Sequence, residues 1–123
     1  MRSSFILGGL FSCVATLASS QDVLVSNPIM CAMLDRGEDV QETGMILESA
    51  GMYEIEYYCE FDRQISFDWS RDITEAVVGY CSEPGFISPT VFVVQSGPYE
   101  PGIVRIWTQG VEQPTQFEIC AKG

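Results

Sequence analysis

Five cysteines, Cys13, Cys31, Cys59, Cys81 and Cys120, constrain this chain more than any other feature. Cys13 stands apart from the rest. It lies in an uncharged run, Phe5 to Gln21, that follows Met1-Arg2-Ser3-Ser4 and closes on the small residues Ala18-Ser19-Ser20. A basic start, an apolar middle and a small-x-small end describe a secretory signal peptide. The run is too short for a membrane span, which needs about 20 apolar residues. Residues 1–20 are therefore read as a leader and residues 21–123 as one mature β domain. A second reading takes Leu10-Phe11-Ser12-Cys13 as a lipobox, which makes Cys13 a lipid anchor at a new N-terminus. Both readings remove Cys13 from the disulfide count. Both place the remaining chain in the periplasm or outside the cell, where disulfides persist.

Cys31, Cys59, Cys81 and Cys120 then form two disulfides. Any of the three pairings closes loops of more than twenty residues, each contributing roughly 3–4 kcal/mol through loop-closure entropy. The four cysteines contain no C-x-x-C pair, so a zinc site is not expected.

Seventeen acidic residues face six basic ones, a formal net charge of −11, which becomes more negative once Arg2 leaves with the leader. Such a surface repels nucleic-acid phosphates and anionic lipid and draws in cationic partners, most strongly at low salt. The chain has no histidine. That removes Ser-His-Asp and Cys-His nucleophile pairs, His-based metal sites and the commonest general base near neutral pH. No Gly-rich phosphate loop is present, and no cofactor or metal is expected. Asp35, Glu38, Asp39 and Glu42 share one polar loop but lack EF-hand spacing.

Period-two alternation dominates the rest. In "MYEIEYYCEF", Tyr53, Ile55, Tyr57, Cys59 and Phe61 alternate with Glu54, Glu56, Tyr58 and Glu60, which predicts one strand with a buried face and a wet face. "QISFDW" follows a tight turn at Asp62-Arg63 and is expected to complete a hairpin. "TVFVVQ" and "GIVRIWTQ" read as a second hairpin joined by "SGPYEPG", Ser96 to Gly102. "TQFEICA" is a last strand, and "DVLVS", "IMCAML" and "GMILES" are weaker strand candidates. "SRDITEAVVGYC" is open between strand and helix, because Asp72 and Glu75 have capping-box spacing. The sum is a small, all-β, disulfide-stabilised sandwich or barrel with at most one short helix.

Glu54, Glu56 and Glu60 offer paired carboxylates of the kind glycosidases use. A solvated strand face answered by Arg63, Arg71 or Arg105 across the sheet is the simpler reading. Trp69, Tyr80, Tyr99 and Trp107 are read mainly as core. The loop at Ser96–Gly102 is the strongest binding candidate. Pro98 and Pro101 stiffen it, Ser96, Tyr99 and Glu100 are expected at its tip, and a stiff loop loses little entropy on docking.

This region resembles the periplasmic and membrane-bound inhibitors of C-type lysozyme. "YYC" at Tyr57–Cys59, "SGPY" at Ser96–Tyr99, "IWTQG" at Ile106–Gly110 and the late Cys120 follow that family's order over about Tyr57 to Cys120. The chain departs from the family in a loop one residue shorter, in Gln109 where a lysine stands, and in a first third without counterpart. The resemblance implies a β-barrel that fills an enzyme's cleft through Ser96, Tyr99 and Thr108, with Gln109 a weakened contact. It also implies that Cys59 pairs with Cys120, which leaves Cys31 with Cys81. The function expected is an exported, acidic, non-catalytic binding module that docks its loop into a cationic secreted protein such as a lysozyme. A small carboxylate-dependent glycoside hydrolase and a structural protein of the envelope are the alternatives.

Overall fold

Eight antiparallel strands close into a barrel in simple sequence order, each paired with its chain neighbours and the first with the last. The computed structural model describes residues 22–120. Residues 1–20, read above as a leader, lie outside the described residues with Cys13 and its two readings, as does Lys122. The strands are β1 (Leu24–Val25), β2 (Ile46–Glu48), β3 (Gly51–Glu54), β4 (Tyr57–Phe61), β5 (Ile73–Glu83), β6 (Phe86–Ser96), β7 (Ile103–Thr108) and β8 (Thr115–Ile119), with one short helix, α1 (Ile29–Asp35). The all-β barrel with a single helix and two disulfides is the expected fold class. Among the described residues no helix is long and apolar enough to cross a membrane.

Alternation builds the core. Val77 and Cys81 of β5, Phe92 and Val94 of β6, Val104 and Ile106 of β7 and Phe117 of β8 all turn inward and are buried. The Phe61 and Phe92 rings meet edge to face, 5.3 Å apart at 75°. One end of the barrel is closed by residues 62–72, a segment without strand structure. Ile65 is buried and donates its amide to the Ser49 carbonyl at 2.9 Å, while Phe67 and Trp69 stack and pack against the core.

The segment "MYEIEYYCEF" is two strands, not one. The chain reverses at Ile55-Glu56, with Glu56 in the left-handed region at φ 56°, and Glu54 pairs with Tyr57. The reversal turns Tyr53 and Ile55 away from the core. "QISFDW" is the closing segment just described and not a strand, because β4 already has β3 and β5 as partners. "SRDITEAVVGYC" is strand β5. Its would-be capping box is used otherwise: Glu75 forms an ion pair with Arg63 at 3.3 Å, and Asp72 lies beside Gly97, just after β6.

"IMCAML" is the helix. The Asn27 side chain accepts from the Ile29 amide at 3.2 Å and its carbonyl from the Met30 amide at 2.9 Å, which starts a turn just after Pro28. Met30, Met33 and Leu34, at helical spacing, then pack with Val25, Val40 and Ile46 in a second small core. The helix therefore covers the outer face of β1 and β2, and β1 is buried on both sides.

The disulfides are Cys31–Cys120 and Cys59–Cys81, which corrects the pairing implied by the resemblance. Cys59 and Cys81 are direct register partners on β4 and β5, and Cys31 on α1 faces the end of β8.

Candidate functional site

The β6–β7 loop is fixed at both feet. At its start, Gly97 lies beside Asp72, where a Cβ would displace the Asp72 carboxylate. At its end, Gly102 has φ +82° and gives its carbonyl to the Ile119 amide at 2.8 Å. Between them the Ile103 amide donates to the Glu100 carbonyl at 3.1 Å, and the Glu100 carboxylate is ion-paired with Arg105 on β7. Arg105 also donates to the Gln116 side chain at 3.2 Å. The hydrogen bond from Arg105 holds the Glu100 carboxyl below the usual glutamate range, and Glu100 in turn raises the Arg105 guanidinium.

On this frame Tyr99 stands 88% exposed. Beneath it lies a small cleft of about 170 Å³ lined by Asp72, Gln95, Ser96, Tyr99, Glu100 and Arg105. Ser96 does not sit at the loop tip. It is the last residue of β6, paired with Ile73 and only 7% exposed, because its side chain continues the inward series of Phe92 and Val94.

The five expected binding residues divide between two ends of the barrel. Ser96, Tyr99 and Glu100 share the loop end. Thr108 pairs with Phe92, and at about 3.3 Å per residue this lies roughly 10–13 Å along the strands from the loop. Gln109 is engaged locally with β6, where its amide donates to the Val91 carbonyl at 2.9 Å and its side-chain oxygen accepts from the Val91 amide at 3.1 Å.

The glutamate trio is not the face of one strand. Glu54 ends β3, Glu56 is in the turn and Glu60 is on β4. Glu54 and Glu56 line an open depression with Glu83 at the end opposite the loop. None of these carboxyls is buried, whereas a glycosidase acid depends on desolvation. The arginines answer other partners: Arg63 pairs with Glu75, Arg71 with Asp68 and Arg105 with Glu100. In the Asp35–Glu42 loop, Glu38 pairs with Arg36, and the Asp39 carboxylate accepts from the Gln41 amide at 3.0 Å. Among the described residues no group of three or more side chains is placed to hold a metal ion.

The sequence reading missed a second surface. Tyr80, expected in the core, is 57% exposed, and its neighbour Val78 is 50% exposed on the outer face of β5. Val78 pairs with Val91 and Tyr80 with Pro89, and these four line a mainly apolar groove of about 470 Å³ that Asp62, Thr90 and Gln109 also border. The available signal is the apolar run "AVVGYC" and the nearly apolar "PTVFVV", broken only by Thr90, where a strand facing water alternates with polar residues; such runs read equally as a strand buried on both faces. Comparison of the chain with protein-family models, curated proteins and solved structures found no match.

Proposed function

We propose that this chain is an exported, non-catalytic binding module that docks its Gly97–Gly102 loop, led by Tyr99, into a cationic secreted protein. The observation that carries the reading is Tyr99: a large aromatic side chain almost wholly in solvent, on a loop held by the Glu100–Arg105 pair and by the hydrogen bond from the Ile119 amide to the Gly102 carbonyl. A side chain presented on such a frame orders little when it is captured, so more of its contact energy is retained as affinity. The charge supports the choice of partner. Among the described residues each of the four arginines is already paired with a carboxylate, which leaves a large acidic surplus to steer a basic protein. The leader at residues 1–20 and two disulfides support an oxidising compartment, the periplasm or the exterior, as the place of action. Lysozyme, the target implied by the resemblance, is the first protein to try. The disulfide pairing differs from the one that resemblance implies, so other basic secreted proteins belong in the same panel.

The test is capture of lysozyme and other basic secreted proteins by the oxidised mature chain, at low and high salt. Tyr99→Ala is expected to weaken capture about tenfold or more, while Ser96→Ala, at a buried strand position, leaves it unchanged. Capture insensitive to Tyr99→Ala, or abolished by salt alone, would reject loop docking.

A further inference from the structure

The outer face of β5 and β6 is apolar over most of its length. Outward positions from Ala76 to Tyr80 on β5 and from Ile87 to Val93 on β6 carry no charged side chain, and Ile87 is 68% exposed. The registers Ala76 to Val93, Val78 to Val91 and Tyr80 to Pro89 make these positions adjoin across the two longest strands. The rim on the β4 side is acidic. Glu60 is the register partner of Tyr80, and the Asp62 amide donates to the Val78 carbonyl at 2.9 Å. Arg63 reaches the Ala76 carbonyl at 3.3 Å but is paired with Glu75, and Arg105, beside Gln95 on the β7 side, is paired with Glu100.

We infer that this face is a second docking surface, independent of the Tyr99 loop, and that its occupant is a cationic amphipathic helix of a partner protein. Three observations select that occupant. The barrel is closed, and a ligand lying across the outer face of its sheet meets side chains rather than backbone. The same fold already covers an outer sheet face with a helix at β1–β2, where Met30, Met33 and Leu34 of α1 pack with Val25 and Ile46. A helix with apolar residues at i, i+3, i+4 and i+7 gives the bare β5–β6 face the same cover. Finally, lysines or arginines flanking its apolar stripe meet Glu60 and Asp62. The same acidic rim opposes a second copy of this chain, which would bring like charges together, and an anionic lipid surface.

The probe is a synthetic leucine–lysine amphipathic peptide of about 15 residues, followed by fluorescence anisotropy with the oxidised mature chain. The wild type is expected to bind it. The isosteric double variant Val78→Thr with Val91→Thr should bind at least about tenfold more weakly. Glu60→Gln with Asp62→Asn should weaken binding and flatten its salt dependence. Tyr99→Ala should bind as the wild type does, so that failure here and failure of loop docking are read separately. The inference is overturned if the wild type does not bind the peptide, or if neither double variant weakens binding. It is also overturned if the face instead mediates self-association in sedimentation velocity or adsorption to phosphatidylglycerol vesicles, with either behaviour removed by Val78→Thr with Val91→Thr.

Discussion

Cys59 and Cys81 face one another across β4 and β5 as register partners, both turned into the barrel, and a disulfide joins them. The other bridge does a different job, tying α1 through Cys31 to the chain just beyond β8 at Cys120, 89 residues away. Cleavage by trypsin after Arg36, Arg63, Arg71 and Arg105 places each of these cysteines in a separate peptide. Non-reducing mapping of the oxidised protein should therefore find the Cys31 peptide joined to the Cys120 peptide and the Cys59 peptide joined to the Cys81 peptide. A Cys59–Cys120 bridge would refute the topology. Loop-closure entropy ranks the two: roughly 4–5 kcal/mol for Cys31–Cys120 and roughly 3–4 kcal/mol for Cys59–Cys81.

Phe92 has no exposed surface and meets the Phe61 ring edge to face in the middle of the barrel. Phe92→Ala should cost about 3–5 kcal/mol, a large share of the stability of a domain this size. Urea denaturation of the oxidised protein measures it, and a loss below about 1 kcal/mol would contradict a close-packed interior at this position.

Gly102 closes the loop with φ +82°, and a Cβ there would lie 2.8 Å from Ile119 Cγ2. Gly102→Ala combines left-handed backbone strain, of order 1–2 kcal/mol, with that contact. Its melting temperature should fall by at least about 4 °C. An unchanged melting temperature would mean that the loop does not take this conformation in solution.

The Glu100–Arg105 pair makes loop order depend on pH. Arg105 lowers the folded-state pKa of Glu100, so the pair's contribution is complete above the ordinary glutamate range and is lost as pH falls through the lowered value. Amide exchange at Tyr99 and Glu100 should thus be faster in Glu100→Gln than in the wild type at neutral pH. The difference should vanish in acid, once both side chains are neutral. A difference that persists below the titration of Glu100 would assign the loop's order to other contacts.

Much of this fold was legible because a strand writes its face into the sequence locally. "TVFVVQ", "GIVRIWTQ" and "TQFEICA", rich in β-branched and aromatic residues, fall in β6, β7 and β8. The failures came where a neighbour outside the segment decides the outcome. "MYEIEYYCEF" alternates evenly through Ile55-Glu56, yet the chain turns there, because the two halves pair with each other. "IMCAML" has helical spacing at Met30, Met33 and Leu34, but the segment is too short for its period to outvote its β-compatible composition. The loop is legible in its glycines and prolines, whereas the residue types of the outward face at Val78, Tyr80 and Val91 are those of a core.

The sequence by itself determined the acidic surplus, the set of four cysteines and the β class, since each follows from residue type and short-range spacing. Tertiary structure alone decided which cysteines pair, that Ser96 points inward and that Thr108 stands apart from Tyr99. It also decided that one apolar face is covered by α1 while another is left bare. These are matters of register and of which surface meets which. Register is set by the pairing of strands distant in sequence, and shifting it by one residue turns every side chain to the opposite face.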